Sequence, residues 1–186
     1  TLAEVKTQLG ITNTDSNTLL TAFITAARRA AEAYTGRVFI SQTWDYLQDD
    51  SSDPVNIPLS PLISATPFVT DLSDNEAAES TDIYIVDTVA QPGRLFLKSG
   101  QSWTVSRGLS GFRVRFAAGY GSTPADVPGD FKTAITLIVA FLYEHRGDDL
   151  VNKAFSESDT SDSLVRLVPG AAMLLQHYRT GRRLVG

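Results

Sequence analysis

The stretch that decides the fold begins at Phe112 and ends at Gly147, and it reads FRVRFAAGYGSTPADVPGDFKTAITLIVAFLYEHRG. In its first part, apolar residues alternate with Arg113 and Arg115. Side chains of a β-strand point alternately to its two faces, so this part predicts a strand over residues 112–117 with one buried face and both guanidinium groups on the other.

Beyond the strand, the apolar spacing changes to three and four residues, which predicts a helix at about 128–146 within the segment 126–147. Asp126 is the expected N-cap, Pro128 is tolerated in the first turn, and Gly147 ends the helix. The apolar stripe consists of Phe131, Ile135, Ile138, Val139 and Leu142.

Two helices are predicted in residues 1–37. Thr1 and Glu4 have the spacing of a capping box, and Gly10 ends the first helix after Leu9. The second helix starts after Asp15 or Ser16, ends at Gly36, and has an alanine-rich face that another helix can approach closely. Its apolar positions are Leu20, Phe23, Ile24, Ala27, Ala31 and Tyr34. We expect Phe131, Ile135, Ile138 and Leu142 to pack against Leu20, Phe23, Ile24 and Ala27.

A β-rich insertion is predicted at about 38–118, because the apolar period there is two and prolines separate short apolar runs. Pro92 and Gly93 are typical of a turn. The candidate strands are Thr43 to Leu47, Val55 to Leu59, Phe68 to Asp71, Ile83 to Val86, Arg94 to Lys98 and Phe112 to Ala117.

The remaining chain predicts a mobile acidic loop at 148–163 and a last helix with a basic tail at 164–186. Pro169 begins that helix, Met173, Leu174, His177 and Tyr178 form its apolar side, and Gly181 breaks it. The fold class is therefore α+β, a mainly helical body with a β-rich insertion, in a single domain over residues 1–186.

Composition excludes several kinds of site. The chain has no cysteine, so disulfides, thiolate nucleophiles and sulfur-bound metals are ruled out. Between Ser41 and Gly93 lie ten Asp and Glu residues and no Lys or Arg, which disfavours tight non-specific DNA binding by this region. The last eight residues carry Arg179, Arg182 and Arg183 without an acid. With no apolar run near a membrane-spanning length and no leader, we expect a soluble protein.

Few residues are candidates for chemistry. His145 and His177 follow apolar helical stretches and are interpreted as structural, and Gly-x-Ser-x-Gly is absent. Gly119-Tyr120-Gly121 is interpreted as a strand-to-helix turn with an aromatic anchor. The densest carboxylate cluster lacks the spacing of a calcium loop and is interpreted as a solvated acidic loop, formed by Asp71, Asp74, Glu76, Glu79 and Asp82. Hence no catalytic, cofactor-binding or metal-ligating residue is predicted.

An ordered set of motifs resembles the phage head-tail connector, or adaptor, family, including the adaptors of gene transfer agents. The motifs are Leu2-Ala-Glu-Val-Lys-Thr-Gln-Leu-Gly-Ile, Ala26-Ala-Arg, Glu32-Ala-Tyr-Thr-Gly-Arg, Gln42-Thr-Trp, Ile57-Pro-Leu-Ser-Pro-Leu, Gly93-Arg-Leu, Ser102-Trp, Phe116-Ala-Ala-Gly-Tyr-Gly, Asp126-Val-Pro and Leu142-Tyr-Glu-His-Arg. Their order and spacing along most of the chain are more specific than any one of them.

The resemblance implies a structural subunit and not an enzyme, without a cofactor. It implies a homo-oligomeric ring of about a dozen copies on the portal at the head-tail interface of a virion or phage-like particle, made in the bacterial cytoplasm. Its partners would be the portal protein and the next tail-side connector or tail terminator. DNA would pass through the ring during genome packaging without specific binding, and no membrane is involved.

The portal-docking element is expected within the last sixteen residues, with Tyr178, Arg179, Arg182, Arg183, Leu184 and Val185 as the inferred contacts. An arginine guanidinium can bind a carboxylate through two parallel hydrogen bonds, and the apolar residues can fill pockets on the partner. Two alternatives stay open: another virion ring component such as a tail-completion protein, and a carbohydrate- or ligand-binding β module with Trp44 and Trp103 as stacking platforms.

Overall fold

A computed structural model describes residues 1–147 and 164–179 of this protein. The described residues form two compact units. The helical unit comprises residues 1–36, 123–147 and 164–179, and the β unit comprises residues 37–122. The predicted α+β class is confirmed, whereas the single domain over 1–186 stays a prediction. Among the described helices, none is long and apolar enough to cross a membrane. The predicted acidic loop at 148–163 lies outside the described residues.

In its described residues, the helical unit contains four named α-helices and two short 3-10 turns. The helices are α1 (Leu2–Leu9), α2 (Asn17–Thr35), α3 (Gly129–Glu144) and α4 (Pro169–Leu175), and the 3-10 turns are Pro124–Asp126 and Gln176–Tyr178. Residues 164–166 are also helical.

The first two helices begin and end where the sequence predicts. Thr1 accepts a hydrogen bond from the Glu4 backbone, and the Glu4 carboxylate in turn accepts from the Thr1 nitrogen at 2.6 Å, which completes the capping box. Gly10 and Gly36 end α1 and α2 in the left-handed conformation, with φ of 65° and 66°. Glycine adopts this conformation without a Cβ clash, which is why both helices stop there.

Asp126 is not the N-cap of α3, so this prediction is wrong. The residue before the helix is Pro128, and Asp126 belongs to the preceding 3-10 turn, where its carboxylate accepts hydrogen bonds from the backbone N and the hydroxyl of Thr123 at 2.8 and 2.9 Å. Val127 separates the two elements with an extended conformation. A residue that precedes proline is sterically driven out of the helical region, so the helix cannot start before Pro128.

The core of the helical unit lies between α2, α3 and α4, with α1 packed on α2 and α3. This confirms the predicted packing of the α3 stripe on α2, although Ile135, Phe23 and Ile24 are only half-buried. The alanine-rich face of α2 is buried inside the unit, so it is not a free surface. The buried side chains include Leu20, Ala27, Ala30, Ala31, Phe131, Ala134, Ile138, Val139 and Leu142.

The last helix buries a different side from the one predicted. Ala171 and Leu175, four residues apart, are fully buried, while Met173 is 66% exposed and His177 is exposed. A seven-residue helix makes two turns, so its sequence alone leaves two faces nearly equal in apolar content.

The β unit consists of two antiparallel sheets with the strand orders β1-β7-β3-β4 and β2-β6-β5. Their inner faces share one core, formed by residues such as Val55, Ile57, Leu95, Val114 and Phe116. The strands are β1 (Gln42–Gln48), β2 (Val55–Asn56), β3 (Leu62–Thr70), β4 (Glu76–Ala78), β5 (Tyr84–Asp87), β6 (Arg94–Leu97) and β7 (Phe112–Ala118).

Three strands differ from the sequence prediction by more than one residue at an end. β3 begins at Leu62 and not at Phe68. Proline lacks the N–H that a strand donates to its neighbour, but Pro67 is tolerated within β3 because the pairing with β4 starts only at Phe68. β2 covers two residues of the five predicted for it. β4 lies in the segment predicted to be a loop, and it forms by pairing with residues 68–70 of β3.

Candidate interaction surfaces

The outer face of the four-stranded sheet carries a cluster of paired charges, Asp45, Glu76, Arg113 and Arg115. Asp45 and Arg115 lie directly opposite each other on β1 and β7. The Arg115 Nε and Nη2 donate to the two Asp45 carboxylate oxygens at 2.9 and 3.0 Å, and Arg113 Nη1 donates to Asp45 at 3.0 Å. The predicted placement of both arginines on the face opposite the buried residues of β7 is confirmed.

Arg113 also holds the short strand β4 against this sheet. Its Nε and Nη2 donate to the two carboxylate oxygens of Glu76 at 2.7 and 2.8 Å, while its guanidinium lies 4.4 Å from the centre of the Phe68 ring. A planar guanidinium suits this combination of a forked contact and ring stacking. The charges of β1, β4 and β7 are therefore paired with one another on the outer face.

These contacts shift the ionisation of the groups involved. The hydrogen bond from Arg115 is the main cause that lowers the pKa of Asp45 from 3.8 to about 2; desolvation opposes this shift, and the hydrogen bond from Arg113 adds to it. The hydrogen bonds to Glu76, and then to Asp45, raise the pKa of Arg113 above its ordinary value. Asp45, Arg113 and Arg115 are therefore ionised at neutral pH.

The carboxylates between residues 71 and 82, which the sequence predicts to form a solvated acidic loop, have hydrogen-bond or ion-pair partners. Asp71 accepts hydrogen bonds from the backbone of Ser73 and Asn75, which lowers its pKa. Asp74 pairs with Arg107 at 2.6 Å, and Glu79 accepts from the backbone of Thr104 at 2.8 Å. In the described ranges, no three His, Asp or Glu side chains are grouped to hold a metal ion.

The two tryptophans lie in different environments and do not form a common platform. Trp103 is 8% exposed, and its ring packs edge-on against Phe112 at 5.2 Å between centroids while its indole nitrogen donates to Ser52 O at 3.3 Å. Trp44 on β1 is 43% exposed. Trp103 is therefore part of the core of the β unit, whereas Trp44 is exposed.

The turn after β7 is built as the sequence predicts. Gly119 has a φ of 139°, and a Cβ there would lie 2.5 Å from the Ser41 Cα, so the close approach of the two segments requires glycine. Tyr120 anchors the turn because its hydroxyl accepts a hydrogen bond from Arg37 at 2.9 Å. Desolvation by burial is the main cause that raises the pKa of Tyr120.

Both histidines occupy helix ends. His145 is the C-cap of α3, with Nδ1 2.9 Å from Phe141 O and its ring stacked 4.4 Å from the Phe141 ring. His177 is exposed within the 3-10 turn that follows α4. The structural interpretation is therefore confirmed for His145, which caps the end of α3, and stays a prediction for His177.

Two of the inferred portal contacts lie in the described part of the chain. The Tyr178 hydroxyl donates to Asp130 at 2.7 Å, and its ring lies 4.4 Å from that of Phe131. The Arg179 guanidinium lies 4.7 Å from the centre of the Tyr34 ring. Both side chains therefore attach the end of α4 to the helical unit. Arg182, Arg183, Leu184 and Val185 lie outside the described residues.

Comparison with known proteins gives one family match. Residues 1–90 match the model of the family described as "Phage gp6-like head-tail connector protein". The predicted family resemblance is confirmed. No curated protein matches this chain.

Solved structures extend the comparison to the whole chain. The chain is similar to one in a structure titled "Neck of empty GTA particle computed with C6 symmetry", with a TM-score of 0.74, 20% identity, and coverage of 100% of this chain and 91% of that chain. The same values hold for "Neck of native GTA particle computed with C12 symmetry". For "Virion of native gene transfer agent (GTA) particle" the TM-score is 0.71, the identity 19%, and the coverage 100% and 91%. At this identity the likeness shows the fold.

The family match over residues 1–90 favours a connector protein over the alternatives, a tail-completion protein or a carbohydrate-binding module. Trp103, one of the two residues proposed to stack on a carbohydrate, is buried, which is a separate argument against the carbohydrate hypothesis.

Proposed function

We propose that this chain is a structural head-tail connector subunit that forms a ring on the portal and joins capsid to tail in a phage or gene transfer agent particle. The observation that carries the proposal is the connector match over residues 1–90, within a chain whose whole fold is similar to that of a neck protein. The C6 and C12 symmetry of the neck structures supports a ring of copies.

The proposed activity is mechanical and not catalytic. A connector must hold its neighbours and let DNA pass, and neither task needs a nucleophile, a general base or a metal. The partners in this proposal are the portal on the head side and the next connector or tail terminator on the tail side.

Charge distribution fits a conduit for DNA. The β unit carries ten acids and six bases, whereas the described part of the helical unit carries six acids and seven bases. Most cations of the β unit are already paired with carboxylates, as in Arg94 with Asp87 and Arg107 with Asp74. Such a surface releases few counterions on contact with phosphates, so DNA would slide past it and not be held.

For portal docking we propose the segment after α4, with Tyr178, Arg179, Arg182, Arg183, Leu184 and Val185. The contacts of Tyr178 with Asp130 and of Arg179 with Tyr34 attach this segment to the helical unit at a defined point. Beyond it the sequence Arg182-Arg-Leu-Val185 combines two forked cations with two apolar side chains. That composition is typical of interface anchors for an acidic, partly apolar surface.

The test is a pull-down of the cognate portal with three versions of the chain. One version is the unaltered chain, one lacks residues 181–186, and one carries Arg182→Glu and Arg183→Glu. We expect both altered chains to fold, because the helical core lies elsewhere, and to lose most portal binding. The matched control is Arg29→Glu with Arg146→Glu, which makes the same charge change at exposed positions of the helical unit and should bind normally.

Two failures are distinguishable. If the portal does not bind the unaltered chain, the connector function is wrong. If the portal binds all versions equally, the connector function stands and docking lies on another surface of the chain.

A further inference from the structure

β1 is an edge strand of the four-stranded sheet. It pairs with β7 without interruption over seven residues, from Gln42 to Gln48. No strand among the described residues pairs with its other side. The outward N–H and C=O groups of β1 are therefore available to a strand from another chain.

This edge lacks the features that usually prevent strand addition. β1 contains no proline and no lysine, and its pairing with β7 has no bulge. Its one charged residue, Asp45, is turned over the outer face onto Arg115 and Arg113. The charge that could repel an incoming strand is thus directed away from the edge and neutralised.

Apolar side chains flank the edge on both faces of the sheet. Trp44 lies opposite Phe116, on the face that forms the core, yet it is 43% exposed whereas Phe116 is 2% exposed. Leu47 lies on the outer face and is 55% exposed. A strand added beyond β1 would cover both side chains, and tryptophan is among the residues that contribute most at protein interfaces.

The opposite edge of the same sheet is also accessible. β4 pairs only with β3 among the described strands, and Glu76, Ala77 and Ala78 are all exposed. The two alanines present little side-chain volume to an approaching strand. Because β1 and β4 are different edges, a contact between β1 of one copy and β4 of the next is heterologous and repeats from copy to copy, as a ring requires.

We infer that β1 pairs with β4 of the neighbouring copy, so that the four-stranded sheet continues from subunit to subunit around the ring. The inference rests on the proposed connector function, which supplies the second copy as the occupant of the edge. In a closed ring, every β1 and β4 edge is paired, and the exposure of Trp44 and Leu47 has a physical reason.

The first test is amide hydrogen exchange of the unaltered chain, free in solution and in its complex with the portal. The outward amides of residues 42–48 and those of residues 76–78 should exchange about tenfold more slowly, or slower still, in the ring. The amides of β7 are already paired on both sides and should change little. Equal exchange of β1 in the two states would overturn the inference.

The second test places cations on the edge. Thr43→Lys with Leu47→Lys adds two charges to exposed outer-face positions of β1, and ring formation on the portal should fall about tenfold or more. The matched control is Ile85→Lys with Val89→Lys, which adds the same charge at positions 54% and 88% exposed elsewhere in the β unit. The control should assemble normally, and circular dichroism checks that both variants fold.

The outcomes separate the inference from the function. A portal-bound ring of the unaltered chain without protection of β1, or normal assembly of the Thr43→Lys and Leu47→Lys chain, overturns the inference and leaves the connector function intact. If only the Ile85→Lys and Val89→Lys chain fails to assemble, the contact between copies lies on the side of the three-stranded sheet. If the unaltered chain forms no ring with the portal at all, the connector function itself fails.

Discussion

Asp45 and Arg115 face each other across the β1–β7 pair and form a forked ion pair, with both nitrogen-to-oxygen distances at or below 3.0 Å. This contact and the one from Arg113 lower the pKa of Asp45 to about 2 from an ordinary 3.8. A depressed carboxylate pKa stabilises the fold above the unfolded-state value, and that stabilisation is lost as the pH falls through the folded-state value.

We therefore expect Asp45→Asn to reduce stability at neutral pH and to make it less dependent on pH. The difference in urea midpoint between the two proteins should be constant above about pH 5, shrink below about pH 4, and nearly vanish near pH 2. Urea titrations across this range measure it. Parallel curves for the two proteins at every pH would show that the pair does not favour the folded state.

Ile138 reports on the packing of α3. It is fully buried in the helical unit, so Ile138→Ala should lower the free energy of unfolding by about 2 to 5 kcal/mol. Met173→Ala is the control, because Met173 is 66% exposed on α4 and its truncation should cost less than about 0.5 kcal/mol. Chemical unfolding followed by far-UV circular dichroism measures both, and a small effect at Ile138 would contradict the described core.

Gly119 reports on the close approach between the end of β7 and the chain before β1. A Cβ at this position would lie 2.5 and 2.6 Å from the Ser41 Cα and N, and the φ of 139° is unfavourable for other residues. Gly119→Ala should therefore cost roughly 2 kcal/mol or more, because backbone would have to move.

Gly100→Ala separates backbone strain from the clash. Gly100 also has a positive φ, 78°, but a Cβ there would have no atom within 4 Å, so this change should cost only the strain, about 1 kcal/mol. Equal losses for the two variants in thermal unfolding would rule out the close approach at Gly119.

Local signals were sufficient for much of the fold. The capping box at Thr1 and the stop glycines Gly10 and Gly36 determine α1 and α2 with few neighbours involved, and the alternation around Arg113 determines β7. These features act within one turn or one strand, so the sequence contains the complete physical reason for them.

Features that depend on distant partners could not be predicted. The sequence of β4, Glu-Ala-Ala, has a low strand propensity. The strand forms because β3 has an edge with which it can pair and because Arg113 forms an ion pair with Glu76. Acidic residues between Ser41 and Gly93 have no cation near them in sequence, yet Arg107, Arg113 and Arg115 reach Asp45, Asp74 and Glu76 across the sheet or its loops. The exposed edge of β1 depends on strand order, which periodicity does not encode.

The connector hypothesis is tested most directly by the mass of the purified portal before and after mixing with this protein, measured by native mass spectrometry. We predict a complex whose added mass corresponds to one closed ring of copies, with no intermediate number of subunits dominating at saturation. A portal whose mass is unchanged by an excess of the folded protein would contradict the hypothesis.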